Sequence, residues 1–284
     1  MELSIKNISK TYGKKRALYN FSLDLKAGVY GLLGPNGAGK STLIGTITGL
    51  VKADCGSVTY SDDQGKKLHE KLGFLPQYQS YYKNYSAPEF LRYMLALKNY
   101  KPENTSKYIA DLLELVNLGE VGKKRIGAFS GGMKQRLGIA QALIGEPSVL
   151  IFDEPTAGLD PKERVRFRNI ISSLGSDRIV ILATHIVSDI EYIANDIILL
   201  NEGVMADFGT QKEITEKING KVWEFICDSR EVLEIMNKLR VSNVVSMGEQ
   251  CKIRVVSDEI PAANAQNVSP DLEDVCLYSF GELR

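Results

Sequence analysis

The chain opens with apolar positions that alternate with polar ones. Phe21, Leu23 and Leu25 in FSLDLKAG mark one half-buried strand, and Leu3 to Ile8 shows a similar pattern. An antiparallel N-terminal sheet is expected from this alternation. The pattern then changes to unbroken apolar runs, VYGLL before Gly34, SVLIF before Asp153 and IVILA before Thr184. Such runs suit parallel strands covered on both faces. Helical stretches separate them, which predicts an α/β core.

Helical periodicity dominates residues 86–147 and predicts a helical insert. Pro88 opens PEFLRYMLALKNY, and Ser106 is the expected N-cap of SKYIADLLELVNL, which carries Ile109, Leu112, Leu113 and Val116 at helical spacing. DIILLNEGVMADFG predicts a hairpin turning at Asn201 to Gly203, and QKEITEKING a helix ending at Gly220. The main boundary is expected there, dividing residues 1–220 from an accessory α/β unit at 221–284. In that unit KVWEFICD and CKIRVVSD read as strands, REVLEIMNKLR as a helix, and SPDLEDVCLYSF as a helix starting near Ser269. No internal repeat or sustained heptad pattern is present.

Composition narrows the partners. The 284 residues allow one large domain and a small appendage, and 35 Lys plus Arg balance 35 Asp plus Glu. No global field therefore holds the protein on nucleic acid or an anionic bilayer. Cys55, Cys227, Cys251 and Cys276 are scattered, without the paired spacing of a zinc site or redox dithiol, so buried or idle thiols are expected. The N-terminus lacks an apolar core of signal-peptide length, and runs such as Ile197 to Leu200 are too short to span a bilayer. A soluble, cytoplasmic chain is the expectation.

Two segments carry chemistry. Gly34-Pro-Asn-Gly-Ala-Gly-Lys-Ser41 fits G-x-x-x-x-G-K-[ST] between an apolar strand and helical text, the context a phosphate-binding loop requires. Gly34, Gly37 and Gly39 let the backbone wrap a phosphate closely. The amides of Asn36 to Thr42 and the helix start would cradle the β- and γ-phosphates, Lys40 would neutralise charge, and Ser41 would ligate Mg²⁺. Downstream, SVLIFDE puts Asp153 and Glu154 at the exit of a buried strand. Asp153 is then expected to hold Mg²⁺ through water, and Glu154 to polarise the water attacking the γ-phosphate. ATP with Mg²⁺ is the implied ligand.

FSGGMKQR at residues 129–136 resembles the signature of ABC nucleotide-binding domains, LSGGQ in its commonest form, and stands just ahead of SVLIFDE as in that family. Ser130 can cap the following helix, while Gly131 and Gly132 bare its first amides as a second anion site. The resemblance implies the fold of that family: an α/β P-loop NTPase core with an antiparallel β subdomain and a helical insert, here followed by a small C-terminal α/β appendage. It also implies a head-to-tail dimer, either a homodimer or a pseudo-symmetric heterodimer, in which each signature closes the partner's nucleotide. Phe129 and Met133 replace the usual Leu and Gln. Met133 cannot supply a side-chain amide, but it leaves the backbone amides intact.

Further positions match the family's landmarks in order. Tyr12 resembles the aromatic that stacks on adenine, and Gln77 in GFLPQY the glutamine that senses γ-phosphate and Mg²⁺. Asp160 in AGLD resembles the loop that crosses the dimer, and His185 in ILATHIVSD the switch histidine, while His69 has no such context. An integral-membrane permease is implied as a separate chain, so the protein would sit peripherally on the inner face of the cell membrane. The insert is the implied docking face. Tyr78, Tyr81, Tyr82 and Tyr85 beside Gln77 suit a partner surface or equally a structural cluster. The ending SPDLEDVCL resembles that of bacterial exporters for drugs, antibiotic peptides and similar amphiphiles, with Cys276 where Phe is frequent. A capped amphipathic helix packing the appendage together is the alternative there. An importer subunit, a soluble ABC ATPase acting on ribosomes or DNA, and a non-hydrolysing cassette are the competing functions. One cassette, zero net charge and no heptads count against the ribosome and DNA readings, and Glu154 counts against the non-hydrolysing one.

Overall fold

The computed structural model describes residues 1–62, 65, 67–121 and 124–281; Gly122 and Lys123 of the predicted insert and residues 282–284 of the appendage lie outside the described residues. The first half runs β1 (Glu2–Tyr12), β2 (Lys15–Leu25), β3 (Gly28–Leu33), α1 (Lys40–Ile47), β4 (Cys55–Ser61), β5 (Leu72–Leu75), α2 (Ala87–Leu97), α3 (Thr105–Leu115) and α4 (Gly131–Ala142). There follow β6 (Val149–Asp153), α5 (Pro161–Leu174), β7 (Ile179–Thr184), α6 (Val187–Ile190), β8 (Asp196–Asn201), β9 (Val204–Gly209) and α7 (Gln211–Glu216). The last third holds β10 (Val222–Asp228), α8 (Val232–Lys238), β11 (Arg240–Met247), β12 (Gln250–Val256), β13 (Gln266–Asn267) and α9 (Leu272–Phe280).

The central sheet has the order β5-β6-β7-β3-β8-β9. Its first five strands are parallel and β9 returns antiparallel through the hairpin at Asn201 to Gly203. Every residue of β3, β6 and β7 is buried, as their unbroken apolar text requires. Alternate side chains feed two cores. Val29, Leu33, Leu150, Phe152, Val180 and Leu182 meet the helical side; Leu32, Val149, Ile151, Ile179, Ile181 and Ala183 meet α1 and the antiparallel sheet β2-β1-β4. Each fully buried Leu or Ile adds roughly 1.5–3 kcal/mol, so this double burial fixes where the strand ends lie. Among the described residues, no helix is long and apolar enough to cross a membrane.

The predicted insert supplies α2, α3 and α4. A capping box of Ser86 and Glu89 starts α2, with Pro88 in its first turn. The N-cap of α3 is Asn104 rather than Ser106: Asn104 Oδ1 accepts from Lys107 N at 2.9 Å, which leaves Ser106 inside the first turn.

In the last third, β11-β12-β10-β13 form a small sheet. One face packs Phe225, Ile253 and Val255 against Val232 and Ile235 of α8. The other face carries a polar node. Asp274 is fully buried and accepts from Arg254 Nη2 at 2.6 Å and Ser242 Oγ at 2.7 Å, while Arg254 Nη1 donates to Glu224 at 3.1 Å. Asp271 caps α9 and shares a capping box with Asp274, so the helix begins at Leu272 instead of near Ser269. Leu272, Val275, Cys276 and Leu277 enter the main core alongside Ile214, Ile218 and Val222. The packing role foreseen for this ending is therefore present, and it reaches beyond the appendage. Cys227 and Cys251, distant in sequence, are register partners across β10 and β12, and both are free thiols.

Candidate functional site

Between β3 and α1 the chain turns through Gly34 to Gly39. Gly39 adopts φ +110°, and a Cβ there would lie 2.4 Å from the Ala17 carbonyl oxygen. At Gly34 a Cβ would come within 2.2 Å of the Leu200 carbonyl oxygen. Side chains are thus excluded at both points, and the loop is free to present its amides. Lys40, only 7% exposed, donates from Nζ to the carbonyls of Gly34 at 2.6 Å and Pro35 at 3.2 Å. Burial pulls its amine below the usual lysine range, opposed by the negative charges of Glu154 and Asp153.

Beside this loop lies a cleft of about 240 Å³. Of the residues singled out from sequence, Tyr12, Asn36, Gly37, Gly39, Lys40, Ser41, Thr42, Gln77 and Glu154 line it. Tyr12 ends β1 and is half-exposed, which leaves ring surface available for stacking. Gln77 follows β5. Lys15, the first residue of β2, and Ala17 also line the cleft and were not read from sequence; a basic residue shortly after Tyr12 was the available signal for Lys15. A larger open groove of about 620 Å³ lies in the appendage beside Leu239 and Leu277, away from these residues.

Glu154 lines the cleft from the sheet side, whereas Gly34, Asp153 and His185 stand beside it without lining it. Strands β6 and β7 are adjacent and parallel with Asp153 opposite Ala183, so Glu154 and His185, just beyond, emerge together. Nδ1 of His185 lies within hydrogen-bond distance of Glu154 Oε2, at 2.9 Å, and Lys40 Nζ stands 3.8 Å from Glu154 Oε1. Glu154 holds a left-handed φ of +48° while its amide donates to the Ala183 carbonyl at 2.9 Å. A non-glycine residue held there stores backbone strain, a recurrent feature of functional positions. Asp153 is 7% exposed, and its carboxyl is pushed up to about 6, first by burial and then by the charge of Glu154, with Lys40 acting the other way. Its Oδ1 is buried and has no hydrogen-bond partner among the described residues. An orphaned carboxylate oxygen beside the phosphate loop fits a hard cation with oxygen ligands.

Ser130, Gly131, Gly132 and Asp160 do not line this cleft. Ser130 caps α4 by accepting from Met133 N at 3.2 Å, and Asp160 caps α5 by accepting from Glu163 N at 2.9 Å. The two helix starts are joined by Arg136, whose Nε is 3.2 Å from Glu163 Oε2. Among the described residues, a Cβ at Gly131 would meet no atom within 4 Å beyond its own helix and chain neighbours, so the first turn of α4 is open on that side. Between the cleft and α4 runs the tyrosine segment. Tyr82 stacks on Tyr85 at 5.2 Å, and Tyr81 donates from its hydroxyl to the Lys134 carbonyl of α4 at 2.7 Å. Tyr78 is 85% exposed.

The family model described as ABC transporter matches residues 18–157. The linearmycin resistance ATP-binding protein LnrL of Bacillus subtilis is 36% identical over 224 residues, covering 77% of this chain and 72% of that protein. The lantibiotic transport ATP-binding protein SrtF of Streptococcus pyogenes is 37% identical over 226 residues, covering 78% of this chain and 97% of that protein. Among solved structures, the dimeric bacterial ABC transporter cassette MJ0796 superposes with a TM-score of 0.65 at 27% identity, over 73% of this chain and 98% of its own. The same cassette in a post-hydrolysis state bound to ADP and Pi gives a TM-score of 0.64.

Proposed function

Because this chain belongs to the ATP-binding subunits of ABC transporters and is an ATPase, we propose that it powers a separate membrane permease that exports drugs, antibiotic peptides or similar amphiphiles. The names of LnrL and SrtF support that cargo class. The observation that carries the proposal is a convergence. Lys40, Glu154 and His185, from three separate segments, meet at the phosphate loop, with Glu154 3.8 Å from Lys40 and 2.9 Å from His185.

The residues divide the work. Amides of Asn36 to Thr42 hold the phosphates, Tyr12 stacks on the base, and Lys40 offsets phosphate charge. Ser41, Asp153 and Gln77 are the groups that would hold Mg²⁺, which when bound supplies positive charge to the β- and γ-phosphate oxygens. Glu154 orients and polarises the attacking water, and His185 donates to the γ-phosphate. Ser130, Gly131, Gly132 and Asp160 lie outside the chain's own cleft, and this supports their service to a second subunit in a two-fold, head-to-tail pair. ATP then favours the closed pair because it touches both subunits, and hydrolysis removes that preference. The half-exposed Tyr82 and Tyr85 and the exposed Tyr78 would meet the permease, and Tyr81 would relay its movement to α4. The protein would accordingly lie on the inner face of the membrane.

Glu154→Gln tests the reading. Turnover is expected to fall roughly 100-fold or more, the scale of a lost general base, while light scattering in Mg-ATP shows a persistent dimer. Undiminished turnover would remove Glu154 from the mechanism.

A further inference from the structure

We propose that Asp189 is a positioning residue that acts through Thr156 to keep the loop bearing Glu154 in register with the loop bearing His185. The inference rests on the site described above and extends it to two residues that do not line the cleft. Thr156 is 0% exposed and Asp189 1%. The Thr156 hydroxyl donates to Asp189 Oδ2, joining positions 33 residues apart. Thr156 stands two residues after Glu154, inside successive turns that lead to Asp160: Ala157 N donates to the Glu154 carbonyl at 3.3 Å and Leu159 N to the Thr156 carbonyl at 3.1 Å. Asp189 lies in α6, four residues after His185. Its amide donates to the Ile186 carbonyl at 3.2 Å, and the Ile186 amide donates to Thr184 Oγ1 at 3.0 Å, which fastens α6 to the end of β7.

Stability alone does not account for this pair. The second carboxylate oxygen of Asp189 is buried without a hydrogen-bond partner among the described residues, an arrangement that costs free energy and that two apolar side chains of similar shape would avoid. The gain is geometric. Glu154 is strained at φ +48°, and the turn that holds it so is anchored at the Ala183 carbonyl on one side and at Thr156 on the other. The side chain of His185 is 47% exposed, so packing does not fix it; its position depends on where the β7–α6 connection runs. One buried hydrogen bond therefore sets the spacing of the Glu154–His185 pair and the path of the chain toward Asp160.

The test uses the full chain and compares Thr156→Val, which keeps shape without a hydroxyl, with Thr156→Ser, which keeps the hydroxyl. ATP hydrolysis is followed as kcat and KM beside the thermal midpoint. Thr156→Val is expected to lose on the order of tenfold or more in kcat, the scale of a small misplacement of catalytic groups, with KM little changed. Thr156→Ser and Asp189→Asn, both able to preserve the bond, should retain most of the parent kcat. If Thr156→Val does not fold, Thr156→Ala carries the same comparison with Thr156→Ser. A kcat that follows side-chain shape, with valine at or above serine, overturns the proposal, as does a kcat change that only tracks the thermal midpoint. Glu154→Gln run in parallel separates the two readings: its inactivity beside a fully active Thr156→Val rejects the positioning role alone, whereas its activity rejects the site itself.

Discussion

Replacing Asp153 by Asn in the nucleotide-free, metal-chelated protein should change the pH dependence of folding in a defined direction. The folded carboxyl titrates at about 6 against an ordinary 3.8. Between those values the folded chain holds a proton that the unfolded chain has released, so stability falls as pH rises through this window. Above pH 6 the full cost persists. The separation of about 2 pH units corresponds to roughly 3 kcal/mol at 1.36 kcal/mol per unit. Solvent still reaches part of the group and screens the charge, which reduces the expected effect to about 1.5–2 kcal/mol. Asn cannot ionise, so the variant should match the parent near pH 4 and exceed it by that amount near pH 7. Urea unfolding of both proteins at half-unit pH steps measures the difference directly, since all other titrations are shared. Adding Mg-ATP should reverse the order, because only the parent retains the carboxylate ligand and ligand binding stabilises the folded state. Parallel parent and variant curves from pH 4 to 7 would refute the reasoning.

Two further perturbations follow from named contacts. Arg254→Met strands the fully buried Asp274 carboxylate and should lower the urea unfolding free energy by about 3 kcal/mol; a loss under about 1 kcal/mol would mean that the node contributes little. Tyr12→Ala should raise KM for ATP roughly tenfold or more with kcat nearly unchanged, as lost base stacking costs about 1–3 kcal/mol; an unaltered KM would show that adenine sits elsewhere.

Much of this arrangement was legible in the sequence because it rests on local signals. The apolar runs before Gly34, Asp153 and Thr184 are the buried parallel strands, and the hairpin at Asn201 to Gly203 turns where its glycine allows. Strands whose faces lack clean alternation went unread. β4 is largely exposed and, among the described residues, pairs with β1 alone, β5 spans four residues, and a register shift between Val241 and Asn243 breaks the period of β11. The cap of α3 is Asn104 and not Ser106 for a physical reason. Ser106 is an equally good cap in isolation, but the choice belongs to whichever oxygen reaches the third amide, as that of Asn104 does. Within the site, the phosphate loop and the Asp153–Glu154 pair were visible as motifs. Lys15 and the Thr156–Asp189 bond were not, since both arise only when separate strands are laid side by side.

The insertion of α9 into the main core has a consequence for biosynthesis. As the nascent chain emerges from its N-terminus onward, Ile214, Ile218 and Val222 lack their final covering until Leu272, Val275 and Leu277 have been translated. The apolar face of α7 therefore waits on α9 before it is sealed. A premature stop anywhere in the appendage would leave a sticky, chaperone-dependent product rather than a trimmed but competent enzyme.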